Sequence, residues 1–202
     1  MLFDDLLNAQ DFVQAADNLA REYRSKHKLP SLDQLGLVVE SVEDTASKLE
    51  ALGIGPFLIL EGPAKLWSER GQKRNFRGKM GLAYHRSVEL ELLEPGEGSD
   101  FYRQSLDPGG GITIQHLGFA VKDIEAWANR LVASDVSVWI RGKLKTGPLT
   151  VDFLYLDTIP ETGFVIEFLC WRLLGIPFRL PAVVEHGIGR LEKWTGKRSI
   201  AA

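Results

Sequence analysis

The chain repeats itself. Leu35-Gly36-Leu37-Val38-Val39 matches Leu117-Gly118-Phe119-Ala120-Val121, and the offset of 82 positions persists beyond this run. It aligns Val42 with Ile124, Glu43 with Glu125, Ala46 with Ala128, Leu49 with Leu131, Ala51 with Ala133 and Ile54 with Val136. A match that stays in register through a strand and the helix after it predicts two copies of one structural unit.

Each copy reads as βαβββ. In the first, a strand over 35–40 precedes a helix over 43–52 that stops at Gly53, which tolerates a left-handed cap. A strand over 56–60 follows, then a long Lys/Arg/Gly-rich loop over 62–79. A hairpin over 82–84 and 88–93 turns at His85-Arg86-Ser87. In the second copy, strands over 112–121, 137–140, 149–156 and 163–169 surround a helix over 123–133. The organisation is an N-terminal arm (1–31), a first module (32–95), a linker rich in Pro and Gly (96–111), a second module (112–170) and a C-terminal extension (171–202). In the arm, Leu6, Phe12, Ala15, Leu19 and Tyr23 recur at helical spacing, which predicts one amphipathic helix over 3–27 ending before Pro30. The fold class is α+β.

Strand side chains alternate faces. Gln34, Gly36 and Val38 share one face of the first strand; His116, Gly118 and Ala120 share that face of its repeat. Gln34 and His116 are therefore equivalent, and each is followed two residues later by a glycine that clears space. The last strands, Val88–Leu93 and Phe164–Leu169, carry Glu91 and Glu167 at matching places. Glu89 rivals Glu91 from the same face, with one of the two expected at a solvated edge. A carboxylate such as Glu167, flanked by apolar residues, is expected to be buried, and a buried charge needs a cation or strong hydrogen-bond partners. Gln34, Glu91, His116 and Glu167 are thus candidate ligands of one divalent metal. One imidazole, two carboxylates and an amide oxygen suit Zn²⁺, Ni²⁺, Co²⁺, Mn²⁺ or Fe²⁺. The amide is the weakest of the four ligands.

At these residues the sequence resembles the vicinal oxygen chelate superfamily over about 32–170. The elements Gly55-Pro56-Phe57 and Ser99-Asp100-Phe101-Tyr102 look like the branch containing glyoxalase I and methylmalonyl-CoA epimerase. The resemblance implies a curved mixed sheet around a cleft, with metal ligands on the first and last strand of each module. It also implies Lewis-acid chemistry: a substrate carbonyl meets the metal and a carboxylate moves a proton at the adjacent carbon. Glu167 is the first choice for that base and Glu91 the second. The expected activity is that of a lyase or isomerase acting on a thioester or hemithioacetal. The alternative is a non-catalytic small-molecule-binding protein of the bleomycin-resistance type. The family's ligands meet within one chain or across a dimer, and a homodimer is expected here.

The remaining features narrow the class. With 45% hydrophobic residues and a net charge of -3, the chain is neither disordered nor a nucleic-acid binder by composition. Without a signal segment or an apolar stretch of membrane-spanning length, a cytoplasmic setting is expected. Cys170 alone excludes an internal disulfide and reads as a buried apolar thiol. His27, His85 and His186 are assigned no chemistry. In the basic loop of Arg70, Lys73, Arg74, Arg77 and Lys79, the candidate substrate contacts are Arg74, Arg77 and Lys79, which suit a phosphate or carboxylate; a solvated loop is the plainer reading. The extension, apolar to Val184 and then basic at Lys193, Lys197 and Arg198, is expected to cap the pocket or join a dimer interface.

Overall fold

The computed structural model describes residues 1–179, 181–196 and 200–201. Leu180, Lys197 and Arg198 of the extension lie outside the described residues. The arm is not one helix but three: α1 (Phe3–Leu7), α2 (Phe12–Asp17) and α3 (Arg21–His27). Asp11 breaks the run by taking an extended backbone and accepting a hydrogen bond from the Gln14 amide, which starts a new helix. Ala20, with a left-handed φ of 49°, starts the third. Apolar periodicity survives these breaks, so Phe3, Leu6, Phe12, Leu19 and Tyr23 are all buried.

The first module contains β1 (Gln34–Val38), α4 (Val42–Ala51), β2 (Leu58–Pro63), β3 (Leu66–Glu69), β4 (Gln72–Lys73), β5 (Arg77–His85) and β6 (Val88–Leu93). The second contains β7 (Thr113–Ala120), α5 (Ile124–Val132), β8 (Val138–Thr146), β9 (Leu149–Leu156), α6 (Ile159–Thr162) and β10 (Val165–Leu173). After these come β11 (Ile176–Pro177), α7 (Ala182–Thr195) and β12 (Ile200–Ala201). The repeat extends to the helix ends. Ser41 caps α4 by accepting from the Asp44 amide, and its counterpart Asp123 caps α5 by accepting from the Ala126 amide. Gly53 and its counterpart Asp135 both take left-handed φ, 83° and 63°.

One mixed sheet runs in the order β12-β2-β5-β6-β1-β7-β10-β9-β8-β3-β4, with β11 beside β10. The modules meet at its centre, where β1 pairs antiparallel with β7. Each central strand pairs in parallel with the last strand of its own module, β1 with β6 and β7 with β10. Helices cover the outer face, over a core that includes Leu35, Leu37, Leu117 and Phe119. A second, smaller core lines the concave face around Val38, Trp67, Phe76, Tyr102, Phe153 and Tyr155.

The expected loop over 62–79 is largely strand. β3 leaves its own module and pairs with β8 of the other, from Leu66 opposite Lys143 to Glu69 opposite Ile140. Only Ala64 and Lys65 separate β2, near one end of the strand order, from β3, near the other. The sheet must therefore curl until its ends approach, as a half-barrel. Trp67 anchors the crossing strand: it is buried and stacks on Phe76 with ring centroids 4.0 Å apart. The C-terminal helix α7 packs against β2 and β5, where Glu192 accepts a hydrogen bond from the Ile59 amide at 2.9 Å. Among the described residues, no helix is long and apolar enough to cross a membrane.

The concave face depends on a seat for Phe153. Its ring lies over Gly142 on β8, so close that a Cβ there would come within 1.9 Å of the ring. Gly142→Ala should therefore destabilise the fold by about 1–3 kcal/mol, the usual cost of overpacking, measured by chemical denaturation.

Candidate metal centre

In the seam between β1 and β7, Gly36 lies opposite His116 and Gln34 opposite Gly118. A Cβ on Gly36 would sit 1.9 Å from Cε1 of His116, and one on Gly118 would sit 2.9 Å from Oε1 of Gln34. The two glycines do clear space, but each clears it for the side chain on the facing strand. The outer neighbours then supply the carboxylates: β6 sets Glu91 beside Gly36, and β10 sets Glu167 beside Gly118.

Glu91, His116 and Glu167 converge, their ligand atoms all within 4.8 Å of one another. His116 Nε2 is 3.2 Å from Oε2 of Glu91 and 3.2 Å from Oε2 of Glu167. All three atoms are buried and lack a hydrogen-bond partner of good geometry among the described residues. The ring's other nitrogen is held: Nδ1 lies 3.0 Å from Oε1 of Gln115, whose Nε2 donates to the Phe101 carbonyl at 3.3 Å. That second bond fixes which end of the amide faces the imidazole. Nδ1 therefore carries the hydrogen, and Nε2 is left to present a lone pair toward the two carboxylates.

Such a cluster needs a positive charge at its centre. Burial alone would lower the pKa of His116, but Glu167 and then Glu91 overcome it and push the value up to about 9. Burial also raises the pKa of Glu167, against the pull of His116. A proton is thus one occupant. A divalent ion fits the same three donors, one imidazole nitrogen and two carboxylate oxygens, a set suited to borderline metals. All three residues come from one chain, so the trio needs no partner subunit.

Gln34 lines the same cavity and is buried. Its Nε2 donates to Oε2 of Glu89 at 2.9 Å, which leaves Oε1, the atom a metal would use, over Gly118. Glu89 is thus not at a solvated edge; it is 2% exposed and orients the amide. Burial raises its pKa to about 7. Two tyrosines escaped the sequence reading as site residues. Tyr155 lies opposite Glu167 in the β9–β10 pairing, and its hydroxyl is 3.0 Å from that of Tyr102. Burial, reinforced by Glu91 and Glu167, holds both phenols protonated, well above their ordinary range. Tyr102 had a signal, the Ser99–Tyr102 element; Tyr155 and Gln115 had none.

The basic residues disperse. Arg74 is exposed and donates to Gln72. Arg77 is exposed and pairs with Glu61 at 3.0 Å. Of the three candidates only Lys79 lines the cavity. Arg70 pairs with Asp157. Cys170 is buried, as expected. His27, His85 and His186 pack against Tyr23, Phe12 and the Tyr84 amide respectively, apart from the trio.

The family model for the glyoxalase/bleomycin resistance protein/dioxygenase superfamily matches residues 33–155, more than half of the chain. The chain belongs to this superfamily. No curated protein matches it. Among solved structures, methylmalonyl-CoA epimerase from Mycobacterium tuberculosis aligns with a TM-score of 0.45 at 18% identity, over 68% of this chain and 85% of that one. A Streptomyces coelicolor methylmalonyl-CoA epimerase variant in complex with 2-nitronate-propionyl-CoA gives 0.46 at 20%, over 70% and 94%. A 4-hydroxymandelate synthase mutant from Streptomyces coelicolor gives 0.51 at 14%, over 82% and 56%. At these identities the last likeness speaks to the superfamily fold alone.

Two outcomes follow for this superfamily member. Gln115→Leu should weaken Zn²⁺ binding about 10–100-fold by freeing the imidazole, measured by competition with a chromophoric chelator. Because the pKa of His116 is raised to about 9, a metal must displace a proton at neutral pH. Apparent Zn²⁺ affinity should therefore climb about tenfold per pH unit below that value and level off above it.

Proposed function

We propose that the chain is a metal-dependent lyase or isomerase that moves a proton at the carbon beside a substrate carbonyl. The observation that carries this is the convergence of three buried ligand atoms without a hydrogen-bond partner of good geometry, Glu91 Oε2, His116 Nε2 and Glu167 Oε2, with Glu91 and Glu167 in the wall of a cavity and His116 behind them. Gln34 Oε1 is the proposed fourth ligand. A bound divalent ion would supply Lewis acidity toward the carbonyl oxygen.

The residues divide the remaining work. Glu167 is the proposed base: a carboxylate oxygen not engaged by an ion would take the proton from carbon and return it. Burial strengthens that carboxylate as a base, and the facing Tyr155 hydroxyl tempers the effect. Glu91 is the second candidate. His116, held through Gln115, keeps its lone pair on the site. The curled sheet excludes water, which strengthens each of these interactions. A thioester or hemithioacetal carbonyl, the group the family resemblance implies, meets these requirements.

The cavity wall is mostly apolar, which also suits a protein that only holds its ligand. His116→Ala that left ligand affinity intact would favour that reading. The catalytic reading is tested by metal analysis of protein purified without chelator, then by solvent deuterium exchange into simple thioesters, hemithioacetals and ketones. The expected result is a bound divalent metal, with exchange that falls about 100-fold or more in Glu167→Gln. No bound metal, and no exchange after adding Zn²⁺, Ni²⁺, Co²⁺ or Mn²⁺, would refute it.

A further inference from the structure

The cavity and its open mouth together span about 880 Å³ of empty space, of which about 70 Å³ is open to the centre of a water-sized molecule. Its inner end is polar and its wall is not. Along β9 and β10, facing pairs on the cavity side run outward from the trio: Tyr155 with Glu167, Phe153 with Leu169, and Val151 with Trp171. Trp171 lies four residues beyond Glu167 along the strand, about 13 Å of apolar wall. Leu60, Met80 and Leu93 continue it on the β2, β5 and β6 side. Besides Glu91 and Glu167, Lys79 is the one charged residue in this wall among the described residues.

Lys79 is not free to bind an anion. Its Nζ donates to Glu43 at 3.2 Å, with Glu94 at 3.8 Å and Glu61 at 3.9 Å, three carboxylates around one ammonium. Arg77, beside it on the rim, is already paired with Glu61, and Glu97 adds a further carboxylate there. A phosphorylated or carboxylated carrier, such as coenzyme A or glutathione, would meet a rim on which Glu61, Glu94 and Glu97 already offset Arg77, Lys79 and Arg103. Such carriers are gripped by available Arg and Lys donors, and this rim offers no surplus of them.

We propose that the cavity takes an uncharged, largely apolar carbonyl compound, an aromatic or medium-chain ketone or aldehyde, carbonyl end inward, and rejects anionic carriers. A thioester or hemithioacetal fits only where its thiol part is itself apolar. The inward orientation rests on the trio being a metal centre; the apolar wall and the engaged lysine stand apart from it.

Displacement of Nile red from the full-length protein tests this, with and without Zn²⁺, using naphthyl methyl ketone, acetyl-CoA and S-hexylglutathione as competitors. The ketone should bind at least about tenfold more tightly than either anion. Val151→Glu, at a half-buried wall position, should weaken the ketone about tenfold or more while leaving Zn²⁺ affinity unchanged. Glu43→Gln with Glu61→Gln, which removes the hydrogen-bonded carboxylate and one of the two others around Lys79, should strengthen acetyl-CoA binding about tenfold. Tighter binding of either anion by the wild-type protein overturns the proposal, and that measurement needs no variant to fold. A ketone affinity indifferent to Val151→Glu overturns it too. Apolar selectivity with no Zn²⁺ binding would strike down the metal centre and uphold the selectivity; Zn²⁺ binding without selectivity would do the reverse.

Discussion

A side chain at position 36 would occupy the space of the His116 imidazole, with its Cβ 1.9 Å from Cε1, and the same conflict, less severe, links position 118 to Gln34. The seam between the two modules is therefore a reciprocal fit of glycine against ligand. It fixes the register of β1 on β7, and a slip of one residue would turn every ligand to the wrong face. The parallel neighbours inherit that register. Glu91 reaches the centre because it lies beside Gly36, and Glu167 because it lies beside Gly118.

Around the trio lies a second layer of buried polar groups, drawn partly from the C-terminal extension. Glu89 turns the Gln34 amide. Near it, Arg179 pairs with Asp33 and donates to the Tyr84 hydroxyl at 2.8 Å. Glu185 of α7 is fully buried, and burial followed by the proximity of Glu89 pushes its pKa up to about 9. This raised proton affinity limits the negative charge collected behind the ligands. The extension does more than cover an edge: it supplies the groups that balance the ligand layer from outside.

What the sequence disclosed, and what it hid, divides along local against non-local causes. The repeat and the shared face of Gln34 and His116 both follow from spacing legible along the chain. Glu89 and Glu91 are inseparable by that logic, because they share a face; pairing with β1 separates them. Gln115 was hidden for a sharper reason. Strand alternation puts it on the face opposite His116, but the register jumps there, Gly36 facing His116 and Leu37 facing Ile114. Gln115 is the extra residue of this irregularity, and such bulges re-aim side chains beside functional sites. The strand content of 62–79 was hidden because β3 finds its partner in the other module, more than seventy residues away.

That crossing strand connects fold to chemistry. Without β3 on β8, the sheet would be an open trough and the trio would face water, where two carboxylates and an imidazole are ordinary solvated groups. With it, Trp67 and Phe76 close the concave side, and the tip of the Phe153 ring sits against Gly142, where a larger residue would push the ring off. Removal from water raises the proton affinity of Glu167 and leaves three donors without partners; it opposes protonation of His116, whose affinity is raised instead by Glu167 and Glu91 beside it. The same closure makes the wall apolar. The proposed affinity for a cation and the proposed preference for an uncharged ligand thus have one origin, the two-residue step at Ala64 and Lys65 that carries the chain across the mouth of the half-barrel.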